Sequence, residues 1–87
     1  MKYIKNDAME FLEIDDENMA IYDPDSGNTH YIDAIGKMIL SLLDEEIEEA
    51  ELINQLCDIY DAAREIITAD VHGFLENLVD KKVVLEL

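Results

Sequence analysis

Apolar and polar positions change rhythm near Ile32. Before it, short apolar runs alternate with polar breaks: Phe11-Leu12-Glu13-Ile14, Asp15-Asp16-Glu17-Asn18, Met19-Ala20-Ile21-Tyr22, then Asp23-Pro24-Asp25-Ser26-Gly27-Asn28. The runs are too short for helices and alternate as strands do, with Met19 and Ile21 on one face, then His30 and Ile32 opposite Thr29 and Tyr31. Pro24 presets the first corner of a turn, and Gly27 can take the left-handed conformation that closes it. The pattern predicts three short strands, roughly 9–14, 18–23 and 28–32, joined as a meander.

After Ile32 the period becomes helical. Ala34, Ile35, Met38, Ile39, Leu42 and Leu43 form one stripe, with Asp33 as its N-cap. The acidic segment Asp44–Glu51 separates it from a second stripe, Leu52, Ile53, Leu56, Ile59 and Tyr60, and its glutamates suit a helix start. A third stripe follows Thr68: Val71, Phe74, Leu75, Leu78 and Val79. It closes at Lys81-Lys82, where cations suit a helix C-terminus. Val83-Val84-Leu85-Glu86-Leu87 reads as a terminal strand. The fold class is therefore α+β: a three-stranded antiparallel meander, three helices and a short C-terminal strand.

Length and charge narrow the picture. The 87 residues (1–87) make a single domain. Twenty-two Asp and Glu against six Lys and Arg leave −16, which repels nucleic-acid backbones and anionic membranes. A hydrophobic fraction of 49% is too high for a disordered acidic tail. No apolar run approaches the ~20 residues of a membrane span, and Met1–Asp7 lacks a secretory apolar stretch. A cytoplasmic protein is expected.

Candidate chemistry is thin. Abundant carboxylates argue for a solvated surface before a catalytic pair. Asp23 to Ala34 fails as a calcium loop, because the sixth position is Asn28 rather than Gly and the twelfth is Ala34 rather than Glu. Asp25-Ser26 resembles the pair whose serine bears the prosthetic group in acyl carrier proteins, yet Gly27 follows it inside a turn. His30 and His72 stand far apart without metal-ligand spacing. The lone Cys57 excludes an internal disulfide and sits beside an apolar stripe, as a packed thiol would. No catalytic residue, metal site or cofactor is expected. An exposed strand edge, by contrast, can accept an extended peptide.

The chain resembles the PqqD family, named for a pyrroloquinoline quinone (PQQ) biosynthesis protein and including the RiPP recognition elements of peptide-modifying pathways. The resemblance rests on Asn28-Thr29-His30-Tyr31-Ile32-Asp33-Ala34-Ile35-Gly36, on Met38-Ile39-Leu40-Ser41-Leu42-Leu43-Asp44, on Leu52-Ile53-Asn54-Gln55-Leu56 and on Asp70-Val71-His72-Gly73-Phe74-Leu75-Glu76-Asn77-Leu78, with Val83-Val84 at the end. Glu45 and Ile47 stand where the family commonly has Gly and Thr. The resemblance implies a winged-helix-like, non-catalytic chaperone that binds the leader of a ribosomally made precursor peptide. It would present that leader to a tailoring enzyme, of the radical S-adenosylmethionine type or another peptide-modifying kind. Carried over, the leader adds as a strand beside Asn28, Thr29, His30, Tyr31 and Ile32. It lies against Val71, Leu75 and Leu78, with Lys81 near one end and Phe74 serving groove or core. The alternative is an acidic interaction protein that forms a homodimer through a sheet edge or mimics nucleic acid.

Overall fold

The computed structural model describes all 87 residues. Its elements run β1 (Lys2–Lys5), β2 (Glu10–Glu13), β3 (Met19–Tyr22), β4 (Thr29–Ile32), α1 (Ala34–Ser41), β5 (Ile47–Glu48), α2 (Glu49–Ile59), α3 (Arg64–Asp80) and β6 (Val84–Glu86). The expected meander is the antiparallel sheet β2-β3-β4. A second sheet, β5-β1-β6, joins the two ends of the chain; its β6 is the expected terminal strand, while β1 and β5 have no counterpart in the sequence pattern. Tyr3 and Ile4 lie between lysines and read as a polar terminus. Their strand exists because β6, some eighty positions away, pairs Tyr3 with Glu86 and Lys5 with Val84.

Local chemistry sets the turns and caps. Asp15 accepts from the Glu17 amide (2.8 Å) and the Asn18 side chain, closing the β2–β3 turn. Gly27 takes φ 77° in the β3–β4 turn and donates to the Asp23 carbonyl at 2.8 Å. Asp33 caps α1 as expected, accepting from the Gly36 amide at 2.9 Å. Glu49 and Glu51 occupy the first turn of α2.

The third helix begins at Arg64, a turn before the expected start, because Ala63 at its N-cap offers no side-chain signal. At its other end Lys82 adopts φ 63°, while the Val83 amide donates to the Leu78 carbonyl (2.9 Å). Both features belong to a left-handed helix closure, here built without the usual glycine.

One core of sixteen buried side chains draws on β1, β3, all three helices and the C-terminal strand. Ile21, Leu40, Leu43, Leu52 and Val83 have no exposed surface. The first helical stripe differs from expectation: α1 buries Gly36, Ile39 and Leu40, whereas Ala34 is exposed and Ile35 keeps 55% of its surface. No helix is long and apolar enough to cross a membrane.

Candidate peptide-binding groove

Strand β4 pairs with β3 alone, so its other side is an open edge. Asp23 donates to the Asn28 carbonyl at 2.9 Å at the hairpin's closed end. From that bonded pair, antiparallel alternation makes His30–Ile21 and Ile32–Met19 the next bonded pairs. Thr29 and Tyr31 therefore turn their N–H and C=O groups outward along the free edge. Side chains alternate on the other axis. His30 and Ile32 are half-buried on the same face as the core residues Ile21 and Met19, while Thr29 and Tyr31 face solvent, Tyr31 with 78% of its surface exposed.

The edge leads directly into α1. At Gly36 that helix passes so close to its neighbours that a Cβ would lie 2.5 Å from Ile32 Cγ2 and 2.9 Å from Phe74 Cε1. The missing side chain is what lets the end of β4, the start of α1 and the middle of α3 meet. Beside this junction lies a depression of about 420 Å³ lined by Asp33, Ile35, Ile39, Asp70, Gly73 and Phe74. An apolar pocket of about 140 Å³ continues between α1, α2 and α3, reaching Leu56, Tyr60 and Ile66 and sharing Ile35, Ile39 and Asp70 with the depression.

Charge at the hairpin is fixed by hydrogen bonding. The Asp23 carboxyl is held below the usual aspartate range, first by the Ser26 hydroxyl and then by the Asp25 and Ser26 amides, with burial acting the other way. Lys37 of α1 pairs with Glu13 and donates to the Asp15 carbonyl at 2.8 Å, tying the helix to the far strand of the same sheet.

The sequence-derived site residues divide. Asn28 closes the turn, and Thr29 through Ile32 form the strand with the unpaired edge. Phe74 is half-buried and does both jobs, lining the depression and packing on the core. Leu75 and Leu78 need correction as surface contacts, since each is 1% exposed and packs in the core beneath the groove, whereas Val71, equally buried, lines the floor of the apolar pocket between α1, α2 and α3. Their periodicity is that of the buried face of α3, and periodicity alone does not separate a core stripe from a binding stripe. Lys81 is exposed at the helix end, seven residues past Phe74 and so about 10 Å farther along the axis. The exposed face of α3 beside the depression is instead Ile66, Ala69, Asp70 and Gly73, which sequence reasoning missed. An isoleucine off the core stripe, as at Ile66 with 58% of its surface exposed, is the signal that marks it.

The model of "Coenzyme PQQ synthesis protein D (PqqD)" matches residues 18–84. Among solved structures, "TbiB1 in Complex with the TbiA(beta) Leader Peptide" is 27% identical, with a TM-score of 0.85 over 97% of this chain and 96% of that one. "Lasso peptide synthetase B1 complexed with the leader peptide" has a TM-score of 0.82 at 17% identity, covering 97% of this chain and 98% of that one, a likeness of fold alone. No curated protein matches the chain. With a family match spanning all three helices and two strands of the meander, the chain belongs to the PqqD family.

Proposed function

We propose that this protein binds the leader segment of a ribosomally synthesised precursor peptide and presents it to a peptide-modifying enzyme. The observation that carries this is the open edge of β4 beside an apolar depression, joined at Gly36. An extended peptide would exchange backbone hydrogen bonds with Thr29 and Tyr31, and its alternate side chains would drop toward Ile35, Phe74 and Ile66. Backbone pairing supplies affinity without regard to sequence, whereas the depression selects apolar anchors.

The chain itself makes no bonds in this reading. It raises the effective concentration of one substrate at the enzyme's site. The solved neighbour at 27% identity is described as a leader-peptide complex, which supports the peptide as ligand. The sequence resemblance leads toward a radical S-adenosylmethionine partner or another peptide-modifying enzyme.

Titration with the leader segments of short precursor peptides encoded beside its gene tests the proposal. Saturable binding with slowed hydrogen exchange at the Thr29 and Tyr31 amides is the expected result. Exchange unchanged at both amides in the saturated complex would refute strand addition. Self-association that protects the same amides without any peptide would favour a dimerising interaction protein instead.

A further inference from the structure

On the other flank of α3, between that helix and the β1–β6 pair, lies a second depression of about 550 Å³. It is lined by Tyr3, Gly73, Glu76, Asn77, Asp80 and Glu86, with Val79 at its wall. No lysine or arginine borders it, and neither Asp80 nor Glu86 has a cationic partner within the chain. Glu76 meets only His72, at 3.5 Å.

Exposed carboxylates alone would signify nothing, but Tyr3 is different. Its side chain is buried, leaving the residue 7% exposed, and it sits directly opposite Glu86 across the β1–β6 ladder. Its hydroxyl makes no hydrogen bond within the chain, and no fully buried polar atom is left unpaired, so the hydroxyl is accessible where Tyr3 lines the depression and is free to meet a donor there. Burial first, then the charges of Glu49, Glu86 and Glu76, hold the phenol above its ordinary pKa.

Gly73 supplies the connection. It borders both this depression and the one beside β4. A Cβ there would meet nothing within 4 Å, so no packing inside the protein requires a glycine in mid-helix, where glycine costs about 1 kcal/mol relative to alanine. A bare position on the ridge between two hollows is where a second backbone can cross.

We propose that this depression receives a basic side chain of the bound peptide, an arginine or lysine, where that peptide crosses α3 at Gly73. Glu76, Asp80 and Glu86 balance the charge, and the Tyr3 hydroxyl and Asn77 amide oxygen accept hydrogen bonds from it. A guanidinium fits best, because its planar fork can satisfy a carboxylate and the phenol together. The inference rests on the leader-binding reading and adds a chemical requirement to the leader: an apolar segment for the β4 side, then a cation.

The test uses the intact chain and N-acetyl-arginine-N-methylamide, followed by amide NMR, with the norleucine analogue as uncharged control. Saturable shifts should centre on Gly73, Glu76 and Glu86, and Tyr3→Phe should weaken binding roughly threefold to tenfold. Glu76→Gln combined with Glu86→Gln should abolish the response. Shifts that never saturate, or that persist in the paired variant, would overturn the pocket. A chain that protects Thr29 and Tyr31 when leader is added, yet ignores the arginine amide, loses this pocket and keeps its proposed function. A chain that binds the amide and no leader keeps the pocket and loses that function. In a leader that binds, changing its basic residue to Gln should weaken the native chain about tenfold and the paired variant no further. Independent, additive losses would refute the contact.

Discussion

Two glycines of the groove make opposite demands, and their substitutions should move stability in opposite directions. At Gly36 there is no room: an added methyl strikes Ile32 Cγ2, which a β-branched side chain on a strand cannot swing away, and the Phe74 ring. Gly36→Ala should therefore lose about 1–3 kcal/mol, the usual range for overpacking, and separate β4 from α3. Leader affinity should fall with it, because the depression beside β4 is shaped by that approach. At Gly73 there is only open space, so Gly73→Ala should gain about 0.8–1 kcal/mol from helix propensity. For a domain of this size that amounts to a rise in Tm of roughly 4–8 °C. Thermal unfolding of the two variants against the native chain checks both signs. A destabilised Gly73→Ala protein would reveal a packing role that the structure does not contain.

Strand β4 carries the proposed function as an element, and its register says where to break it. Tyr31 directs its amide away from β3, so Tyr31→Pro removes a donor from the free edge and leaves the β3 ladder intact. The variant should keep a native unfolding transition and lose most of its leader affinity in a calorimetric titration. A proline at Ile32 would instead break the pairing with Met19 and confuse folding with binding. Unaltered leader affinity in folded Tyr31→Pro would rule out pairing at that edge. This element was legible in the sequence because the polar breaks at Asp15–Asn18 and Asp23–Asn28 isolate strands whose partners are their neighbours. Asp33 similarly announces α1 by its own side chain. Strands β1 and β5 were not legible, since each is held by partners remote in sequence and too few residues alternate to show a period. The groove face of α3 stayed hidden for another reason. Val71, Leu75 and Leu78 follow the helical period, but Ile66 and Gly73, which touch the hollows, break it. Burial, rather than period, separates Leu75 and Leu78 from the exposed face of that helix.

At the scale of the whole molecule the dominant quantity is a charge of −16 within a Cα radius of gyration of 12.6 Å. No charged residue is buried, so these carboxylates repel one another across the surface. Lys2, Lys5 and Lys37 each hold one carboxylate, while Lys81 and Lys82 hold none, so local pairing offsets little of the repulsion. Self-repulsion opposes the compact state more than the expanded chain. Salt should relieve it, because the Debye length falls from about 30 Å, longer than the molecule's radius, to about 3 Å between ~0.01 M and ~1 M. Tm should therefore rise along a sodium chloride series. Affinity for a leader bearing a basic residue should fall over the same series, since screening weakens its attraction to Glu76, Asp80 and Glu86. The two slopes have opposite sign only if charge acts against the fold and for the ligand. A flat Tm would mean that the few local pairs already balance the repulsion. Affinity indifferent to salt would assign binding to the β4 ladder and the apolar anchors alone, leaving the acidic flank of α3 without a part in it.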